Sequence, residues 1–272
     1  MTLSPIDPTI ASLAPFDIVL PPTQAELPCD DGEPMETQRH KVQLDLLIDS
    51  LLPWLESRDN GYVGGNMFVY YSLAQVRNRD FKGPDCFVVL DVPKGERRSW
   101  VSWEEGKTPD IVIELLSEST VEVDKGEKKR IYQTQMHVPE YFWYNPFDPN
   151  DWAGFRLQGG TYQDILPNAQ GQLVSQVLEL ALVRWQGIFK EIDTIWLRWV
   201  RLDGSLLLTA EEQERQRAEQ ERQRAEQERQ RADQAESQVQ QIARNLLQTG
   251  MDVEQVAQVT GLTIAQVESL QE

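Results

Sequence analysis

Two carboxylates stand where a buried sheet should refuse them. Asp85 opens the run PDCFVVLDV, Glu114 interrupts PDIVIELLS, and Lys128 follows in DKGEKK. A lone carboxylate inside Ile-Val-Ile-Glu-Leu-Leu costs several kcal/mol unless a cation or hydrogen-bond donors compensate it. A divalent metal is the simplest compensation. Two acids with a nearby lysine are also the set that metal-dependent phosphodiester cleavage requires: the ion polarises phosphate and activates water, while the ammonium stabilises developing negative charge. The purely structural alternative for Glu114 is a buried ion pair with Lys128 or Lys129.

Positioning these groups requires strands and a helix. Alternation along 110–117 places Asp110, Val112, Glu114 and Leu116 on one face, so Asp110 is a supporting oxygen candidate and Asp85 joins them if its strand is adjacent. Mg²⁺, a hard ion that prefers carboxylates and water, suits such a set, and Mn²⁺ is the alternative. The near-continuous apolar run at 110–117 predicts a central strand covered on both faces. Further strands are predicted at 66–71, from Pro84 to Val92, at 100–103 and at 141–144. Ser119-Thr120 caps a predicted helix through DKGEKKRIYQTQ, making strand, helix, strand an α/β crossover. Short runs at 155–157, 162–166, 173–182 and 196–202 read as added strands wrapping one edge. Upstream, leucine and valine spacing over 35–52 predicts an amphipathic helix that Pro53 kinks or ends.

Pro84-Asp85, Pro109-Asp110-Ile-Val-Ile-Glu114-Leu-Leu-Ser117, Asp124-Lys-Gly-Glu-Lys128, Tyr132 and Val138-Pro139-Glu140-Tyr141, in that order, resemble the Uma family of bacterial restriction-endonuclease domains, within the PD-(D/E)XK nuclease superfamily. The resemblance covers roughly residues 30 to 200. It implies a mixed sheet flanked by helices and Mg²⁺-dependent hydrolysis of nucleic acid, most naturally DNA. It implies Asp85 and Glu114 as metal ligands and, with Lys128, as the catalytic set. The superfamily's usual lysine position, two residues after the acid, is here Leu116; in the Uma branch the lysine sits on the following helix, which matches Lys128. Glu36 matches the place of an extra acid in related nucleases. Tyr132, Glu140 and Tyr141 read as packing and orienting residues, and His40 and His137 offer neither a metal cluster nor a triad.

The net charge of −18 excludes a generic DNA-coating protein, because phosphate contacts need clustered Lys and Arg. Local basic clusters do flank the motif: Arg77, Arg79 and Lys82 before Asp85, and Lys125, Lys128, Lys129 and Arg130 after Glu114. Cys29 and Cys86 are too few for a disulfide scaffold and read as reduced thiols. With no signal-peptide pattern and no apolar run long enough to span a bilayer, the expectation is a cytoplasmic protein without membrane contact.

The chain divides into a proline-rich arm (1–30), a nuclease-like domain (31–203), a charged heptad helix (204–244) and a helix-turn-helix-like tip (245–272). The heptad AEQERQR predicts an exposed helix laced by Glu–Arg pairs, either a solvated spacer or a weak coiled coil joining copies into a homo-oligomer. The tip holds four acids and no Lys or Arg, so a protein-interaction role fits it better than the major groove. The predicted class is therefore α/β: a mixed central β-sheet flanked by helices, restriction-endonuclease-like, with a long C-terminal helix and small tip. The alternative to an endonuclease is a catalytically inactive nuclease-fold protein that acts as an assembly module through its helical tail.

Overall fold

The computed structural model describes residues 20–29, 37–78 and 83–270. Most of the proline-rich arm, Glu36, Arg79, Lys82 and the side chain of Arg77 lie outside the described residues. Helix α1 (Gln38–Glu56) forms because Leu44, Leu47, Leu51 and Leu55 return to one buried side while Val42 and Leu46 pack with Trp196 on another, and the Thr37 side chain caps its start. The helix runs through Pro53 for one further turn. Leu51 and Leu55, buried on either side of the proline, hold that turn against the lost hydrogen bond.

After α1 come β1 (Tyr62–Gly65), β2 (Val69–Tyr70), α2 (Leu73–Asn78), β3 (Cys86–Val89), β4 (Trp100–Val101) and α3 (Ser102–Glu105). Then follow β5 (Ile111–Leu115), α4 (Val121–Val123), a π-helical turn (Asp124–Lys128), α5 (Lys129–Thr134) and β6 (Glu140–Tyr144). The remaining strands are β7 (Trp152–Gln158), β8 (Thr161–Asp164), β9 (Leu173–Ser175), β10 (Leu180–Phe189) and β11 (Ile192–Arg201).

Six strands form a mixed sheet in the order β1-β3-β5-β6-β7-β8. Only β5 and β6 pair in parallel within it, and α4, the π-turn and α5 make the crossover that parallel pairing demands. All five residues of β5 are buried, in keeping with its internal place. One face, with Ile111, Ile113 and Leu115, packs on α1 through Leu44, Leu47 and Leu51; the other, with Val112, packs beneath Ile131 and Tyr132 of α5.

Several sequence expectations are corrected. The run 100–103 is a two-residue strand followed by one helical turn, which Gly106 ends in the left-handed conformation at φ 82°. Run 173–182 breaks at 176–179, where Glu179 takes φ 56°, and β9, β10 and β11 form their own three-stranded sheet rather than wrapping the main one. Buried Glu140 fastens the two sheets. It accepts hydrogen bonds from Arg156 Nε (2.9 Å), Ser175 Oγ (2.5 Å) and the Gln176 N–H (2.9 Å). The thirty or so residues from β9 to β11 also meet α1, where the Gln43 amide exchanges two hydrogen bonds with the Leu197 backbone.

The second compact unit begins at Glu211. Most of it is α6 (Ala210–Gln248), exposed almost throughout, with Arg215–Glu211 and Arg222–Glu219 ion pairs along its surface. α7 (Val253–Thr260), capped by Asp252, and α8 (Ile264–Glu268), opened by a Thr263–Gln266 capping box, fold onto its end. Ala243, Val256 and Val267 are their shared core. No helix among the described residues is long and apolar enough to cross a membrane.

Candidate active site

The antiparallel register pairs Cys86 with Ile113 and Phe87 with Val112, so one step further along brings Asp85 beside Glu114. Gly65 makes this approach possible: it pairs with Cys86 at the end of β1, and a Cβ there would collide with the Asp85 carbonyl oxygen. The Asn66 N–H donates to that same carbonyl at 2.9 Å. Two hydrogen bonds then tie Asp85 to the Glu114–Leu115 segment. The Leu115 N–H donates to Asp85 Oδ2 (2.7 Å) and the Asp85 N–H donates to Glu114 Oε2 (3.3 Å).

The crossover supplies the remaining members. Lys128 Nζ donates to Glu114 Oε2 at 3.1 Å and lies 2.9 Å from Asp124 Oδ1, while the Tyr132 hydroxyl donates to Glu114 Oε1 at 2.5 Å. The π-turn widens the helix by one residue and so turns Asp124 and Lys128 inward together. Tyr141 of β6 anchors the turn by donating to the Asp124 carbonyl (2.9 Å). Asp124 is fully buried, yet neither carboxylate oxygen accepts a well-directed hydrogen bond; its contact with Lys128 is close but off-axis.

Burial governs the electrostatics. It pushes the Glu114 carboxyl up from 4.5 to about 8, with Asp85 and Asp124 adding to the rise and Lys128 opposing it. Burial likewise raises Asp85. Burial alone would lower Lys128, but the carboxylates of Glu114, Asp124 and Asp85 outweigh it and hold the ammonium protonated. Tyr132 is pushed far above its usual range by burial and by Glu114, so it remains a donor.

Three acids share one ammonium here, and burial resists the ionisation of Glu114 and Asp85. All the acidic donors are hard oxygens, and among the described residues Asp124 Oδ2 has no hydrogen-bond partner, while Oδ1 meets only the Lys128 ammonium. By the chemistry of their oxygens the residues fit a divalent ion, although one Asp124 oxygen already meets the Lys128 ammonium. They are not spread as a ready cage: among the described residues no three His, Cys, Asp or Glu side chains already stand in ligand geometry, and Lys128 sits between Glu114 and Asp124.

Asp110 is elsewhere. Its carboxylate accepts the Leu90 N–H (2.7 Å) and pairs with Lys107 (2.8 Å) at the opposite end of β5, so it braces the sheet and supplies no oxygen to Glu114. The downstream basic cluster is also mostly engaged. Lys125 pairs with Asp151 (2.7 Å), Lys129 lies 3.3 Å over the Phe155 ring, and Lys128 points inward, leaving Arg130 exposed. His40 is buried between Thr37 and the Leu116 carbonyl, to which its Nε2 donates at 3.0 Å. Asp124 is the member that sequence reasoning passed over as a site residue. Its place four residues before Lys128 was the available signal, since that spacing puts both on one side of a helix.

A solved structure to which the chain is similar is "Crystal structure of a putative nuclease belonging to DUF820 from Anabaena variabilis ATCC 29413"; it is 13% identical, with a TM-score of 0.41, over 58% of this chain and 91% of that one. No curated protein matches the chain. Residues 237–272 match the C-terminal HTH domain of the Rpn/YhgA-like nuclease family. Residues 19–186, which carry both strands and the crossover just described, match Uma2, "Putative restriction endonuclease", and the chain belongs to that family.

Proposed function

We propose that the protein is a divalent-metal-dependent endonuclease that hydrolyses phosphodiester bonds, with DNA as its substrate. The carrying observation is Glu114, a wholly buried acid met by Asp85, Lys128 and Tyr132 at hydrogen-bond distance in a family of restriction-endonuclease type. Asp85 and Glu114 would hold Mg²⁺ or Mn²⁺, with Asp124 beside them. Such an ion supplies Lewis-acid polarisation of the phosphate and a more acidic water. Within the chain itself, Tyr132 orients the Glu114 carboxylate, Asp124 positions the Lys128 ammonium, and that ammonium meets negative charge developing on the phosphate oxygens. The nuclease-like domain spans residues 31–203 in this reading, and the acidic tip contacts protein rather than DNA.

Purified protein given Mg²⁺ or Mn²⁺ should nick or cut DNA, and Glu114→Gln should reduce cutting by at least about a hundredfold, the scale of losing a charge-stabilising group. Retained cutting in Glu114→Gln would remove the assignment. The second reading, an inactive scaffold, draws on the mutual satisfaction of Glu114, Lys128 and Tyr132, which resembles a structural ion pair. Thermal shift separates the two. Metal-induced stabilisation that disappears in Asp85→Asn favours the enzyme, and indifference to metal favours the scaffold.

A further inference from the structure

The Glu114 centre lies at the end of the sheet where parallel β5 and β6 both finish, and the turn after β6 stands at the same end. That turn, Asn145-Pro146-Phe147-Asp148-Pro149-Asn150, carries a phenyl ring 56% exposed at Phe147. Its backbone is firmly held. Asn145 Oδ1 accepts the N–H groups of Phe147 (2.9 Å) and Asp148 (3.1 Å), and Arg184 of β10 donates to Asn150 Oδ1 (2.8 Å) and to the Pro149 carbonyl (3.3 Å). Asp148, the acid beside the ring, accepts the Asn150 N–H within the turn.

The ring is not an isolated apolar residue. The Arg39 guanidinium lies 4.5 Å from its centroid, and the His40 ring lies 5.6 Å away. His40 in turn bonds the Leu116 carbonyl, two residues beyond Glu114. An aromatic face and a cationic plane are thus fixed through one intervening side chain to the strand that bears the central acid.

We propose that Phe147 and Arg39 form a stacking contact for an unpaired nucleobase of a nucleic-acid strand held at the Glu114 centre. The inference rests on the nuclease reading above and specifies its substrate as single-stranded or locally opened nucleic acid. A phenyl ring accepts any base, because every base has a π-face, and an arginine plane adds stacking together with attraction for the neighbouring phosphate. A base inside an intact duplex has both faces covered by its neighbours, so the contact serves strands, ends or extruded nucleotides.

The test measures binding of a fluorescein-labelled single-stranded DNA oligonucleotide and of its duplex by anisotropy, in a Glu114→Gln chain so that the probe stays intact. Adding Phe147→Ala should weaken single-strand binding about tenfold, with Phe147→Trp holding it and duplex binding little changed. Arg39→Ala should lower both the affinity and the slope of binding against salt, whereas Phe147→Ala leaves the slope alone. Equal single-strand binding with and without Phe147→Ala overturns this inference while leaving the nuclease reading in place. Equal losses for single strand and duplex overturn the unpaired-base assignment. Should the Glu114→Gln chain and the unsubstituted chain bind neither probe, the nuclease reading falls and this contact with it.

Discussion

At Glu114 the protein holds an ionisable acid where its own interior opposes the charge. Burial raises the acid's proton affinity, and the neighbouring carboxylates of Asp85 and Asp124 raise it further, while Lys128 and Tyr132 limit the rise. The folded chain therefore keeps a proton on Glu114 that the unfolded chain releases. In EDTA, this group contributes stability fully below pH 4.5 and loses it as the pH climbs through about 8. Lys128, also raised, acts only above its ordinary range and leaves this window unaffected. The melting temperature of the metal-free protein should accordingly fall between these pH values relative to Glu114→Gln, which carries no titrating acid. Parallel melting curves of the two proteins would count against a strained Glu114. The anomaly of an acid within Ile-Val-Ile-Glu-Leu-Leu was legible in sequence because alternation and burial cost are local arguments. For Asp124 the four-residue spacing to Lys128 placed the pair on one side of a helix, but nothing in DKGEKK announces the π-turn that faces that side inward.

At the scale of elements, the crossover decides where the lysine stands. An ordinary α-helix advances about 100° per residue, so one residue more or less in the turn swings Asp124 away from Lys128. Deleting Gly126 should therefore leave far-UV circular dichroism close to that of the parent while abolishing metal-induced thermal stabilisation. Gly126→Ala is the control: a Cβ there meets nothing within 4 Å, and the substitution should stabilise by about 0.5–1 kcal/mol in chemical denaturation. If the deletion keeps its response to metal, the turn has no part in the site. The same scale explains what the sequence concealed. β1 went unread because Gly64 and Gly65 dilute its strand signal, although Gly65 is what admits Asp85. The helical turn after β4 was hidden by Trp-Val-Ser-Trp, whose residues favour strands until Gly106 closes the turn. The strongly apolar β5 and aromatic β6 were plain, because long-range packing had little left to decide.

For the whole molecule, charge and helix length set the expectations. The second unit carries its apolar residues almost wholly in the α6–α8 junction, and the heptad region of α6 presents Glu, Gln and Arg with alanine as its sole recurrent apolar member. A chain ending at Ala218 should melt at the temperature of the parent's first unit and retain any cutting activity. Sedimentation of both chains addresses assembly: a fall in mass larger than the removed residues would assign oligomerisation to the tail, and masses of a single copy for both would discard it. The mixed sheet around β3, β5 and β6 with its crossover and α1 followed from periodicity and from family resemblance, whereas β1 and the separate β9–β11 sheet did not, the latter because its docking depends on Glu140, Ser175 and Gln43 meeting across distant parts of the sequence. Parallel pairing of β5 with β6 also bears on the order of events during folding. Asp85 reaches Glu114 by antiparallel strand pairing, but Lys128 and Tyr132 arrive only when the return path between the parallel strands docks. Until that segment docks, the Glu114 carboxylate lacks both its cation and its hydroxyl donor, so its dehydration accompanies that docking. A proton or a cation present then makes that docking easier, so the group best suited to chemistry also couples closure of the crossover to pH and to metal.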